Sequence, residues 1–151
     1  MPAAITEQTM SFANPEPDAL RELLKGVKHI AVVGLSPTPS RPSNNISRSM
    51  QRYGFHIIPV RPGLREALGE TAYADLAAVP GPIDLVNVFR ASKHVPEVID
   101  ECLRLGLKSV WLQDGVVHEA AARRARDAGM TVVMDRCILD DYNRLCGGRV
   151  A

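Results

Sequence analysis

The stretch HIAVVGLSPTPSRPSNN, residues 29–45, joins a β-branched apolar run to a glycine and then to a proline-rich segment. The run predicts a strand, Gly34 allows a tight turn at its end, and Pro42 suits the first position of a helix. Gly26, just before the run, can close a preceding helix by adopting the left-handed conformation. The stretch therefore predicts a strand between two helices, with a stiff loop on its carboxyl side.

The pattern of a glycine followed by a β-branched run occurs four times. The pairs are Gly26 with HIAVVG (29–34), Gly54 with FHIIPV (55–60), Gly106 with SVWLQ (109–113) and Gly129 with TVVMD (131–135). A fifth run, DLVNVF (84–89), follows the turn PGP. Such nearly continuous apolar runs are typical of strands buried on both faces of a parallel sheet. The sequence thus predicts an α/β protein with a single Rossmann-like, doubly wound, mostly parallel sheet and helices on both faces.

The segments between the strands carry helical patterns. Residues 92–105 contain an apolar stripe with helical spacing, formed by Val95, Val98, Ile99, Cys102 and Leu103. Residues 117–128 predict a face of small side chains, formed by Val117, Ala121, Ala125 and Ala128. Between residues 61 and 80 we expect a loop, with a short strand near 71–73 and a brief helix from Asp75.

Length and composition indicate one domain. The chain has 151 residues, and we expect a flexible N-terminal tail over 1–14 and a single domain over 15–151. It has 18 basic and 17 acidic residues, so it lacks the basic field that binds nucleic acid or a membrane surface. No apolar run approaches the roughly 20 residues that span a bilayer, and the N-terminus does not resemble a signal peptide. Three unclustered cysteines favour a cytoplasmic location.

The loop after the first strand is the main candidate site. Ligands of open parallel sheets bind beyond the carboxyl ends of the strands, where the strand order reverses. The loop lacks the fingerprint G-x-G-x-x-G, but Ser36 offers a hydroxyl and Arg41 a positive charge. Free N–H groups near Ser43 and Asn44 would face an anion at the start of a helix. A stiff loop without a ligand is the alternative interpretation.

The other strand ends bear on the kind of ligand. The second strand ends at Arg61-Pro62 without the acidic residue that NAD enzymes use, and an arginine there suits the extra phosphate of NADP or coenzyme A. Arg61 could equally be a solvated loop residue. Phe89 could stack on a base or cap the core. Gln113 ends the predicted strand 109–113, and Gly115 follows it at the carboxyl edge of the sheet. There Gly115 either lets a ligand approach the backbone or only serves a turn.

Catalytic and metal-binding patterns are weak. Residues 34–38 read GLSPT, which lacks the final glycine of the nucleophile elbow G-x-S-x-G. His118-Glu119 lacks the second histidine of a zinc helix. His29 and His56 begin strands, opposite the expected cleft, and are predicted to be structural. Cys137 is either a reactive thiol or a small core residue, and the sequence predicts no catalytic residue and no metal ligand.

Five segments, taken together, resemble a known family. In order they are IAVVGLSPTPSRPS, HIIPVRP, DLVNVFR, WLQDGVV and VVMDRC. They resemble the small bacterial CoA-binding-domain proteins, stand-alone relatives of the CoA-binding domain in the succinyl-CoA synthetase α subunit, over about residues 27 to 145. The resemblance implies that the ADP part of coenzyme A binds at the carboxyl edge of the sheet. Arg61 departs from the asparagine common in relatives, and Asn44-Asn45 replaces what is often an aromatic and a basic residue.

The resemblance and the strand ends together give the expected site and function. The predicted cofactor-binding residues are Gly34, Leu35, Ser36, Pro37, Arg41, Pro42, Ser43, Arg61, Pro62, Val88, Phe89, Arg90, Gln113 and Gly115. The synthetase relies on a phosphorylated histidine in a second domain and on a partner subunit, so the resemblance implies a non-catalytic protein that binds coenzyme A or acyl-CoA. The alternatives are an NADP-linked oxidoreductase or dinucleotide sensor, and an interaction domain that has lost its ligand. A homodimer is a general expectation for a small domain, and the sequence does not identify a protein partner.

Overall fold

The structure, a computed structural model, describes residues 11–147, and its strands match the glycine pattern. The strands are β1 (His29–Val33), β2 (His56–Val60), β3 (Glu66–Ala67), β4 (Glu70–Thr71), β5 (Leu85–Val88), β6 (Ser109–Leu112) and β7 (Thr131–Met134). The α-helices are α1 (Pro17–Gly26), α2 (Pro42–Arg52), α3 (Val95–Arg104), α4 (Glu119–Asp127) and α5 (Ile138–Cys146). Short 3-10 helices cover Leu76–Ala78 and Ser92–His94. All five predicted strands are therefore present.

The main sheet is parallel throughout and has the order β2-β1-β5-β6-β7. The chain builds outward from β1 to β2 on one side and then from β5 to β7 on the other, so the strand order reverses beside β1. The ends of β1, β2 and β5 are in register, because Val33 pairs with both Val60 and Val88. The predicted doubly wound, Rossmann-like fold is confirmed, and the reversal point is where such sheets bind ligands.

Side chains of each strand alternate between two buried layers. Ala31 and Val33 pack with helices α3 and α4 on one face, whereas Ile30 and Val32 pack with α1, α2 and α5 on the other. Helices thus cover both faces of the sheet. This burial explains why the strands read as continuous apolar runs instead of alternating with polar residues.

The predicted small-residue face of helix 117–128 is only partly right. Helix α4 begins at Glu119, because His118 lies at the N-cap and its ring nitrogen accepts the N–H of Ala121. Val117 therefore precedes the helix and is 44% exposed, and Ala128 at the other end is exposed too. The buried face consists of Ala121, Ala122 and Ala125.

The segment between β2 and β5 folds as expected in outline. Strands β3 and β4 form a small antiparallel hairpin, and Val60 makes a parallel bridge with Tyr73. Asp75 caps the 3-10 helix that follows, since its carboxylate accepts the N–H of Ala78 at 2.9 Å. This segment lies beside the end of β2 and forms one wall of the candidate site.

The chain before α1 contacts the far edge of the sheet. The side chain of Asn14 donates to the carbonyl of Met134 and accepts the N–H of the same residue, at 3.0 and 2.7 Å. Asn14, which falls in the expected tail, thus contacts the domain, and residues 1–10 of that tail lie outside the described residues. Within residues 11–147, no helix has the length and apolar character needed to cross a membrane.

Candidate functional site

A cleft of about 880 Å³ opens at the carboxyl ends of β1, β2 and β5. Nine residues of its lining were predicted as ligand contacts from the sequence: Gly34, Ser36, Arg41, Pro42, Ser43, Arg61, Pro62, Phe89 and Arg90. The parallel topology brings them together, because three strands end at one level and each passes its next residues into the same space. The volume lies within the range of small-molecule sites in proteins, about 300–1,000 Å³.

Gly34 is the point where the strand ends converge. Its φ of +88° lies in the left-handed region, and a Cβ atom there would lie 2.6 Å from the carbonyl oxygen of Phe89 and 3.1 Å from Cγ of Arg90. Its N–H donates to the carbonyl of Val60 at 2.9 Å. Only glycine meets both conditions without displacing backbone, so the tight turn fixes the floor of the cleft.

Buried polar side chains hold the loop after Gly34 in one conformation. The hydroxyl of Ser43 accepts the N–H of Ser36 at 2.9 Å, and the hydroxyl of Ser36 accepts the N–H of Thr38 at 3.1 Å. The amide of Asn44 donates to the carbonyl of Ser36 at 2.9 Å and accepts from Arg48 at the same distance. The loop is therefore preorganised, while each serine hydroxyl keeps a proton that it can donate to a ligand.

Asn44 has a structural role that the sequence did not reveal. We predicted free N–H groups near Ser43 and Asn44, but the backbone N–H of Asn44 bonds the carbonyl of Arg41 at 3.1 Å, so the expectation is wrong at Asn44. Its side chain is buried, with 3% of the residue exposed, and spans the loop as described above. Asn44, which differs from the residue common in relatives, thus stabilises the loop and is not a sign that the site has been lost.

Three arginines stand around the loop. Arg41 is exposed at the N-cap of α2, one residue before Pro42 at the first helical position. Nη1 of Arg61 lies 3.4 Å from the carbonyl oxygen of Leu35, which aims the guanidinium across the loop. The stem of Arg90 passes over Gly34. Arg41, Arg61 and the positive end of the α2 helix dipole make this side of the cleft suited to an anion, while the guanidinium of Arg90 pairs with Glu97.

Five of the predicted residues lie outside the cleft lining. Leu35 and Val88 are fully buried in the two core layers, and Pro37 is exposed but does not line the cleft. The side-chain oxygen of Gln113 accepts the N–H of Ile138 at 3.0 Å and so caps helix α5. The N–H of Gly115 donates to the carboxylate of Asp135 at 2.7 Å. Gln113 and Gly115 therefore connect the ends of β6 and β7 and do not reach the cleft.

The VVMDRC segment is also structural. Arg136 makes two hydrogen bonds to the buried carboxylate of Asp141, at 2.6 and 2.7 Å, and Arg144 adds a third at 3.1 Å. Burial raises the pKa of Asp141, but the hydrogen bonds from Arg136 and Arg144 outweigh it and hold that pKa below its ordinary value. Cys137 is half-buried at the N-cap of α5. This network fixes the last helix against the sheet.

The wall of the cleft opposite the loop was missed from the sequence. It carries six titratable side chains. One is Asp75, which caps the 3-10 helix Leu76–Ala78, and the others come from α3 and its N-cap: His94, Glu97, Asp100, Glu101 and Arg104. Oε1 of Glu97 accepts a hydrogen bond from Nη1 of Arg90 at 3.3 Å, and Nδ1 of His94 lies 3.2 Å from the same oxygen. The four of these residues that lie on α3 belong to its polar face, which the sequence pattern alone marks as solvent-facing.

The two strand-start histidines lie at the opposite edge of the sheet, as expected. Their Nδ1 atoms are 2.8 Å apart, and Nε2 of His56 lies 3.6 Å from the carboxylate of Glu70. Across residues 11–147, no group of three or more histidine, cysteine or acidic side chains is arranged to hold a metal ion. The pair therefore packs as a hydrogen-bonded contact between β1 and β2.

Comparison with known proteins gives one family. The family model described as a CoA binding domain matches residues 28–143, which is most of the chain. The protein named uncharacterized protein YneT of Bacillus subtilis (strain 168) is 46% identical over 125 residues, which cover 83% of this chain and 93% of that protein. The match thus extends over nearly the full length of a protein of similar size.

Two further similarities come from archaea. A hypothetical protein from Pyrococcus horikoshii OT3 has a solved structure with a TM-score of 0.85 and 32% identity, covering 88% of this chain and 94% of that one. Acetate--CoA ligase [ADP-forming] I of Archaeoglobus fulgidus is 25% identical over 121 residues, 74% of this chain. That match covers only 18% of the ligase.

Proposed function

This chain belongs to the CoA-binding-domain family, and from that premise we propose that it binds coenzyme A or an acyl-CoA in the cleft at the carboxyl edge of its sheet. The observation that carries the proposal is the turn at Gly34, which leads into a preorganised loop ringed by Arg41, Arg61 and Arg90. The ADP moiety would lie at this edge, with its pyrophosphate over residues 34–43.

The chemistry of the loop supports that placement. A pyrophosphate needs hydrogen-bond donors and positive charge, and the start of α2 supplies both a dipole and an adjacent arginine. The hydroxyls of Ser36 and Ser43 accept bonds from the backbone, so their own protons remain for phosphate oxygens. Arg61 lies at the end of β2, where a phosphate on the ribose would be held.

We propose that the protein is a binding module without catalysis of its own. Its match to the ligase covers a small part of that enzyme, so the ligase activity does not transfer with the similarity. Its three cysteines are free, which suits the reducing cytoplasm, and we place its function there.

A ligand panel tests the identity of the cofactor. Thermal unfolding is measured with coenzyme A, acetyl-CoA, NAD, NADP and ATP, each at one concentration. A ligand at 100 times its Kd adds roughly 2.7 kcal/mol to the free energy of unfolding, which is several degrees for a domain of this size. We expect a rise in Tm with the two CoA compounds only. A rise confined to NADP would replace this proposal with the dinucleotide sensor, and no rise at all would favour an interaction domain.

A further inference from the structure

One carboxylate that lines the cleft, that of Glu97, forms an ion pair with Arg90. Glu97 lies in the first turn of α3, and its Oε1 is 3.3 Å from Nη1 of Arg90 and 3.2 Å from Nδ1 of His94. All three side chains line the cleft. The carboxylate of Glu97 thus accepts a hydrogen bond from the guanidinium of Arg90, and a phosphate oxygen could accept the same hydrogen bond.

The stem of Arg90 packs against Gly34, whereas its guanidinium pairs with Glu97. Its Cγ lies against Gly34, so the side chain begins at the turn that forms the floor of the phosphate-binding loop. From there the guanidinium extends to Glu97 instead of to the loop. Release from Glu97 would free this guanidinium, whose side chain passes Gly34, the first residue of the loop 34–43.

We infer that Glu97 is an internal competitor for Arg90 and lowers the affinity of the cleft for phosphate-bearing ligands. The inference rests on the proposed function, because it presumes that the cleft binds the pyrophosphate of coenzyme A. Binding then exchanges one partner of Arg90 for another, and the ligand must displace a carboxylate that is already in place. Glu97 acts through Arg90 and is a positioning residue.

The size of the effect follows from the exposure of the pair. The side chains of Arg90 and Glu97 are 36% and 64% exposed, so their ion pair is a surface pair of at most about 1 kcal/mol. Removing the competitor should therefore lower the Kd for coenzyme A about two- to fivefold. The gain should shrink at high ionic strength, because salt screens exposed charges.

The test compares Glu97→Gln with a matched control by calorimetric titration of coenzyme A and of ADP. The control is Glu119→Gln, which makes the same charge change in the first turn of α4, in an ion pair with Arg123 at 3.3 Å, outside the cleft lining. We expect tighter binding of both ligands by Glu97→Gln and no change for Glu119→Gln. Equal or weaker binding by Glu97→Gln, or an equal gain in the control, would overturn the inference.

A double variant separates competition for Arg90 from simple repulsion of the ligand. In the background Arg90→Gln, most of the gain from Glu97→Gln should disappear, because there is no guanidinium left to release. A full gain in that background would contradict competition. If the unmodified protein bound neither ligand, the proposed function itself would fail, whereas binding with no effect of Glu97→Gln would refute only this inference.

Discussion

The α-carbon of Gly34 lies so close to the main chain of Phe89 that a methyl group added to it would sit 2.6 Å from the Phe89 carbonyl oxygen. This contact joins the ends of β1 and β5, the two strands between which the chain order reverses. The turn at Gly34 therefore sets both the packing of the sheet edge and the direction of the loop that begins there.

Gly34→Ala should destabilise the protein more than its backbone conformation alone requires. A left-handed φ costs a non-glycine residue about 1–2 kcal/mol, and the clash with backbone adds to that. Gly106→Ala is the control, because Gly106 has a φ of +69° and no atom near its added Cβ. Urea unfolding should give a larger loss for Gly34→Ala, and equal losses would show that the Phe89 contact relaxes at no cost.

Asn44→Ala should weaken both the fold and the cleft. The substitution leaves the carbonyl of Ser36 and the guanidinium of Arg48 without their partner, and an orphaned buried polar group costs about 1–3 kcal/mol. The neighbouring Asn45 is exposed, so Asn45→Ala should leave the free energy of unfolding unchanged within about 0.5 kcal/mol. Chemical denaturation measures both, and similar losses from the two variants would contradict the structural role of Asn44.

Arg61→Gln should discriminate between coenzyme A and dephospho-coenzyme A, which lacks the phosphate on the ribose. A charge-assisted hydrogen bond contributes about 1.5–3 kcal/mol, so the affinity for coenzyme A should fall roughly tenfold or more. The affinity for dephospho-coenzyme A should change little. Arg65→Gln removes the same charge from an exposed position outside the cleft lining and serves as the control. Equal losses for the two ligands would move the contact of Arg61 to the pyrophosphate.

Asp141 should make the protein sensitive to acid. The pKa of its carboxyl is lowered in the folded state, so its contribution to stability is complete above the ordinary aspartate pKa and is lost as the pH falls through the folded-state value. Asp141→Asn should cost about 2 kcal/mol at pH 7, and the difference between the two proteins should narrow below pH 4. Urea unfolding at a series of pH values gives both quantities. A difference that stayed constant from pH 7 to pH 3 would contradict the assigned ionisation.

Three of the five main strands follow a helix-closing glycine of positive φ, Gly54, Gly106 or Gly129, which is a local signal that the sequence shows. Gly26 instead ends α1 without a positive φ, so its expected left-handed conformation is wrong, and β1 and β5 were predicted from their apolar runs. The sequence also placed Gly34, Arg61 and Phe89 at one site, because parallel strands end at the same edge. The α4 face was misjudged, since the cap at His118 starts the helix two residues later than the apolar pattern suggested.

Long-range pairing explains what the sequence could not predict about the site. The hydrogen bond from Asn44 to Ser36 and the cap that Gln113 provides for Ile138 depend on the distance between segments in space. Glu97 was missed for the same reason, because its position in the sequence shows only the polar face of a helix. Its role appears once Arg90 is found beside it.

Coenzyme A binding in the cleft is tested most directly by calorimetric titration. Coenzyme A is titrated into the unmodified protein and into the double variant Arg41→Gln/Arg61→Gln. Both arginines are exposed at the cleft, so their removal should leave the fold intact, which thermal unfolding of the free proteins checks. We expect one molecule of coenzyme A per chain and a loss of affinity of at least about tenfold in the double variant. Equal affinity in the two proteins would place the ligand outside the cleft. No binding to the unmodified protein would contradict the proposed function, coenzyme A binding.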